Sequence, residues 1–125
     1  MFHIFGADYI WLKRFKTVNN CKSLKDDYFN KEINSHTVLF QGIKEYIEKR
    51  IELDAIMIDF MQELTINDLD RKLNWTNNNG DNFQKTVGVC LSHLFNHETH
   101  HRGMISLYLE MLGKENDFTA VYTYG

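Results

Sequence analysis

Four of the six histidines fall within nine residues, in the run His93-Leu94-Phe95-Asn96-His97-Glu98-Thr99-His100-His101-Arg102-Gly103. On an α-helix, His97 and His101 stand one turn apart on the same face. Two imidazoles so placed can turn a nitrogen each toward one divalent metal ion. The inward series of this segment runs Leu91, Leu94, His97 (or Glu98), His101, Ile105 (or Met104), Tyr108 and Leu112. His97 and His101 therefore belong to the apolar stripe, and His93 and His100 to its flank. An imidazole facing inward needs a partner for its nitrogens, and either a metal ion or a hydrogen-bond network supplies one.

A metal centre needs a third protein ligand and, for catalysis, a position left for water or substrate. The remaining histidines are His36, at the polar edge where a loop enters a long helix, and His3, beside the apolar stripe of an N-terminal helix. His3 shares a side of that helix with Ala7, Ile10 and Arg14, so it completes a three-histidine site if the first helix packs on the last. The residues His97-Glu98-Thr99-His100-His101 also match the H-E-x-x-H pattern of zinc proteases, with Glu98 as general base. That match reads as accidental. No histidine follows His101, Glu110 lies on the same helix, and Gly103 is one place short of the metzincin spacing. A zinc protease is the remotest of the alternatives.

The rest of the chain says what must position these residues. At 125 residues it has the length of one domain, 1–125. A hydrophobic fraction of 43% with 25% charged residues is ordinary for a globular protein. The net charge of −3, with scattered Lys and Arg, argues against nucleic acid or an anionic membrane as partner. Cys21 and Cys90 form no CxxC, which fits a reducing cytoplasm. The apolar start lacks a basic segment and carries Asp8, so it reads neither as a signal peptide nor as a membrane span.

Apolar spacing of three and four predicts a helix over 2–15, through Phe2, Phe5, Tyr9, Leu12 and Phe15. Residues 17–35 are polar and aperiodic and read as a long connection. A second helix is predicted over 37–64, with Phe40, Ile43, Ile47, Ile51, Ala55, Ile58, Met61 and Leu64 as its buried stripe. Asn77-Asn78-Asn79-Gly80, between Trp75 and Phe83, predicts a hairpin with a type I′ turn. Thr86 is the expected cap of a last helix reaching about Leu112, stopped by Gly113. Its expected stripe is Val87, Cys90, Leu91, Leu94, Ile105, Tyr108, Met111 and Leu112. The tail 114–125 has no assigned shape.

The string Asn96-His97-x-x-x-His101-Arg102-Gly103, preceded by His93-Leu94-Phe95, resembles the DinB family of metal-binding four-helix bundles. His3-Ile4-Phe5-Gly6-Ala7-Asp8-Tyr9-Ile10-Trp11-Leu12-Lys13-Arg14-Phe15 is similar to that family's second helix, which carries its first ligand histidine. Leu64-Thr65 to Leu69-Asp70 and the hairpin at 74–86 resemble its link into the last helix. The resemblance implies an all-α, up-and-down DinB/YfiT-like bundle without the family's first helix. It implies His3, His97 and His101 as metal ligands, and Zn, Ni, Fe or Mn as the ion; three imidazoles alone would also suit Cu. It further implies a metal-dependent transferase or hydrolase acting on a small molecule, with a low-molecular-weight thiol as co-substrate. The alternative is a non-catalytic or degraded metal- or ligand-binding bundle. Met104 stands where the family usually has Gln, which removes a polar group beside the ligand turn.

A bundle short of one helix exposes an apolar face, and the expectation is either a truncated gene product or completion by self-association into a homodimer. A ligand at position 3, near a fraying helix end, is expected to hold metal less firmly than one in mid-helix. Of the remaining residues, Trp11, Trp75 and Cys90 read as packing residues. Asp8 either orients a neighbouring imidazole or Arg or is a solvated charge. Arg102 either receives an anionic substrate group or pairs with a carboxylate, and Glu98 and Arg102 are the two weak catalytic candidates.

Overall fold

The computed structural model describes residues 2–18, 20–34 and 37–117. Their elements are α1 (Phe2–Phe15), α2 (Ile43–Glu63), a short 3₁₀ turn (Ile66–Asp70), β1 (Lys72–Thr76), β2 (Asn82–Thr86) and α3 (Val87–Met111). The chain is mainly helical with one antiparallel hairpin, as its periodicity predicts. By packing it falls into two units, Met1–Leu91 and Ser92–Gly125, with the division inside α3.

In the first unit, α1 buries Phe5, Tyr9, Leu12 and Phe15, the expected stripe, while Phe2 is largely exposed. Asp8 on the same face is 1% exposed and takes an ion pair from Arg50 of α2, which also pairs with Asp54. Phe15 stacks on Phe60 of α2 at 5.5 Å between ring centres. The polar connection after α1 is pinned although it has no period. Leu24 and Phe29 are buried in it. The Glu63 carboxylate accepts from the Lys22 and Ser23 amides. The Tyr9 hydroxyl donates to the Tyr28 carbonyl and accepts from the Lys31 amide, both at 3.0 Å.

The second helix departs from expectation twice. It starts at Ile43, six residues late, with Gly42 before it and Glu45 accepting from the Gln41 amide at 2.7 Å. Its buried residues are Tyr46, Leu53 and Phe60, seven apart. The predicted stripe is the wrong one, since Ile43, Ile47, Ile51 and Ile58 are each at least half exposed. The helix carries two apolar stripes, and the aromatic side chains of α1 engage the one that ends in Tyr46 and Phe60. Aromatic groups remove more surface from water per residue than the isoleucines do.

Strands β1 and β2 pair antiparallel, Trp75 opposite Phe83, and those two rings stack at 5.3 Å. The turn is not type I′. Gly80 has a φ of 88°, but no residue other than glycine has positive φ among the described residues. The Asn77 side chain instead organises a longer loop, accepting from the Asn79 and Asp81 amides at 2.9 Å each. Ahead of the hairpin, Thr65 and Asp68 form a capping box on the 3₁₀ turn.

The last helix begins as expected, with the Val89 amide on the Thr86 hydroxyl. It ends at Gly113, whose φ of 68° lets the Lys114 amide return to the Leu109 carbonyl. Only the first part of its predicted stripe is buried: Val87, Cys90, Leu91 and Leu94. Tyr108, Met111 and Leu112 are exposed by 60 to 74%. The described part of the second unit is the rest of α3 and a tail that returns Asn116 to Ser106. His36 and residues 118–125 lie outside the described residues.

Candidate metal centre

α3 holds His97 and His101 one turn apart, both half-buried. Their Nε2 atoms are 3.1 Å apart and their rings meet edge to face, 4.4 Å between centres. Two nitrogens each about 2.0–2.1 Å from a tetrahedral zinc ion would be separated by roughly 3.3 Å. The pair therefore fits a shared ion with little adjustment. Without one, the same contact is a hydrogen bond in which one imidazole donates and the other accepts.

The neighbours of this pair sort by side. The Glu98 carboxylate lies 3.6 Å from Nδ1 of His97, across the ring from the Nε2 that faces His101. From there it can bias the orientation of the imidazole, and it is badly placed to serve as a base on the Nε2 side. His100 is exposed and touches the His101 ring at 5.1 Å between centres, and His93 is exposed on the preceding turn. Arg102 is half-buried, and no carboxylate pairs with it among the described residues. Met104 is exposed.

On α1, His3 is exposed and lines a cleft of about 710 Å³ together with Ala7, Ile10 and Arg14, the same-face series read from the sequence. The opposite rim of the cleft is the hairpin loop at Asn77, Asn78 and Asn79. Arg14 sits over two indoles, 4.7 Å from the centre of Trp11 and 5.4 Å from that of Trp75. Sequence reasoning took both tryptophans as packing residues and missed this cation–π cluster, in which the two indoles also meet edge to face at 5.3 Å. Its signal was the return of Arg14 to the His3 face, eleven residues on. Cys90 is a core residue as expected, and burial pushes its thiol up, with Arg14 and Lys85 opposing. His97 and His101 form the candidate ligand pair in the second unit, and His3 lies on α1 in the first.

The family model of the DinB family matches residues 1–124. The chain belongs to the DinB family. No curated protein and no solved structure matches it. No helix among the described residues is long and apolar enough to cross a membrane.

Proposed function

We propose that this DinB protein binds one divalent metal ion through His3, His97 and His101 and uses it in catalysis on a small molecule. The observation that carries the reading is the convergence of the His97 and His101 Nε2 atoms at 3.1 Å. The family match supports a metal site, and His3 is the third ligand we propose for it. When bound, such an ion supplies Lewis-acid activation of a nucleophile, water or a thiol. The chain's own contributions are distinct: Glu98 orients the His97 ring, and the cleft beside His3 receives the substrate. The reaction class proposed is transfer involving a low-molecular-weight thiol, or a related hydrolysis. Zn, Ni, Fe and Mn are the candidate ions.

Both cysteines are free thiols, which supports a reducing, cytoplasmic setting. The isoleucine face of α2 supports a homodimer. A second reading, a metal-binding bundle without catalysis, is favoured by Met104, an exposed apolar residue where a polar group would serve the ligand turn. Metal analysis of the purified protein by mass spectrometry tests the common premise. Close to one equivalent per chain, lost in His97→Ala, is expected; a metal-free protein that takes up none on titration refutes it. A thiol-conjugation assay with electrophiles, with His97→Ala as control, then separates the two readings.

A further inference from the structure

Among the described residues, the cleft along α1 is lined by two ionisable side chains, His3 and Arg14, and by no carboxylate. His3 and Arg14 stand at opposite ends, eleven residues apart on one helix face, or roughly 16 Å along the axis. Between them, Ile10 and Leu39 give the cleft apolar wall, and the loop at Asn77 to Asn79 gives it carboxamides. Arg14 differs from two other arginines of the chain. Arg50 is neutralised by Asp8 and Asp54, and Arg71 by Asp68. No carboxylate pairs with the Arg14 guanidinium among the described residues, and its contacts are the faces of Trp11 and Trp75. Burial there lowers its pKa, so its charge is partly stripped of water without a counter-ion.

We propose that this cleft binds a small molecule ending in an oxyanion, and that Arg14, packed against both Trp11 and Trp75, receives that anion. A guanidinium is a planar fork that matches carboxylate or phosphate with two parallel hydrogen bonds. The two indoles restrict where the fork can stand, so less freedom is lost on binding. The volume suits a metabolite-sized ligand. The inference rests on the metal reading only in placing the reacting end of the molecule at His3.

The test is an NMR titration of the full chain, metal-stripped and zinc-loaded, with hexanoate, hexyl phosphate and the neutral hexanamide. In the wild type at least one anion should bind about tenfold or more tighter than the amide, the loss expected for a charge-assisted hydrogen bond. Which anion binds better distinguishes carboxylate from phosphate. Arg14→Gln should erase the preference, and Arg14→Lys, which keeps charge but not the fork, should restore it in part. The Trp11 and Trp75 indole resonances of the wild type should shift with the anion, which keeps the proposal testable if Arg14→Gln fails to fold. Equal binding of anion and amide, no binding of either anion, or an unchanged preference in folded Arg14→Gln overturns it. Anion preference in a protein that takes up no zinc would sink the metal reading alone; zinc uptake without anion preference would sink this one alone.

Discussion

The Nε2 atoms of His97 and His101 lie 3.1 Å apart on one face of α3, closer than two polar atoms stay without a shared proton or a shared ion. His97→Ala and His101→Ala should each weaken zinc binding by about a hundredfold or more, since loss of merely supporting groups already costs 10–100-fold. His93→Ala and His100→Ala, on exposed positions of the same helix, should cost less than about tenfold by the same scale. Calorimetric zinc titration of the four variants checks this. Equal losses in all four would mean that the cluster binds metal without a defined site.

The Asp8–Arg50 pair joins α1 to α2 inside the first unit. The Asp8 side chain is 1% exposed and that of Arg50 17%. Removing one partner of such a pair strands the other charge away from water, and Asp8→Ala should cost about 3 kcal/mol. Asp54, half exposed on the other side of Arg50, has water to replace it, and Asp54→Ala should cost under about 1 kcal/mol. Urea unfolding of the two variants gives the comparison. Similar values would show that Arg50 is held by Asp54 and not by Asp8.

The two apolar stripes of α2 make opposite predictions for neighbouring leucine and isoleucine. Leu53 is 0% exposed and Ile51 is 65% exposed. Leu53→Ala should destabilise by about 2–5 kcal/mol, because a buried cavity remains. Ile51→Ala should stay within about 0.5 kcal/mol at concentrations where the protein is monomeric. The reverse order would restore the stripe predicted from periodicity.

That reversal marks what the sequence can specify. Spacing of three and four identified α1, α2 and α3 as helices because it is a property of one element. Which face of α2 is buried depends on what packs against it. Arg50 sits in the buried stripe between Tyr46 and Leu53, where a charge hides the pattern until Asp8 is known to meet it. The hairpin followed from Asn-Gly, but the turn type did not, because the Asn77 side chain can take over hydrogen bonds that a type I′ turn would leave to the backbone. The histidine pair was legible since both residues lie on a single helix. The Arg14–indole cluster was not, since Trp75 reaches it from a strand sixty-one positions away.

Ile47 and Ile51, one turn apart on α2, are 50% and 65% exposed. An apolar stripe of this length on a soluble helix is expected to find cover, and a second copy offers the same surface. Light scattering on eluted protein should give about twice the 14.9 kDa chain mass. Ile51→Glu should return it to the monomer while keeping its zinc content. A strictly monomeric wild type at high concentration would remove the dimer from the proposal.

Tyr28 offers a stability effect with a fixed sign. Burial, then the charges of Glu52 and Tyr9, pushes its phenol up to about 12, with Arg50 opposing. In the unfolded chain the group ionises near 10. Between these values the unfolded chain has lost a proton that the folded chain keeps, so stability falls as pH rises through the window. Below about 10 the contribution is complete, and above the folded value it is gone. Lys49, whose pKa is raised by Glu52, moves stability in the same direction, so the comparison must hold it constant. Tyr28→Phe should therefore show a shallower decline of the urea midpoint across the alkaline range than the wild type. The late step in phenolate absorbance should vanish with it. Parallel declines in the two proteins, with the late step still present, would assign the alkaline transition to another group.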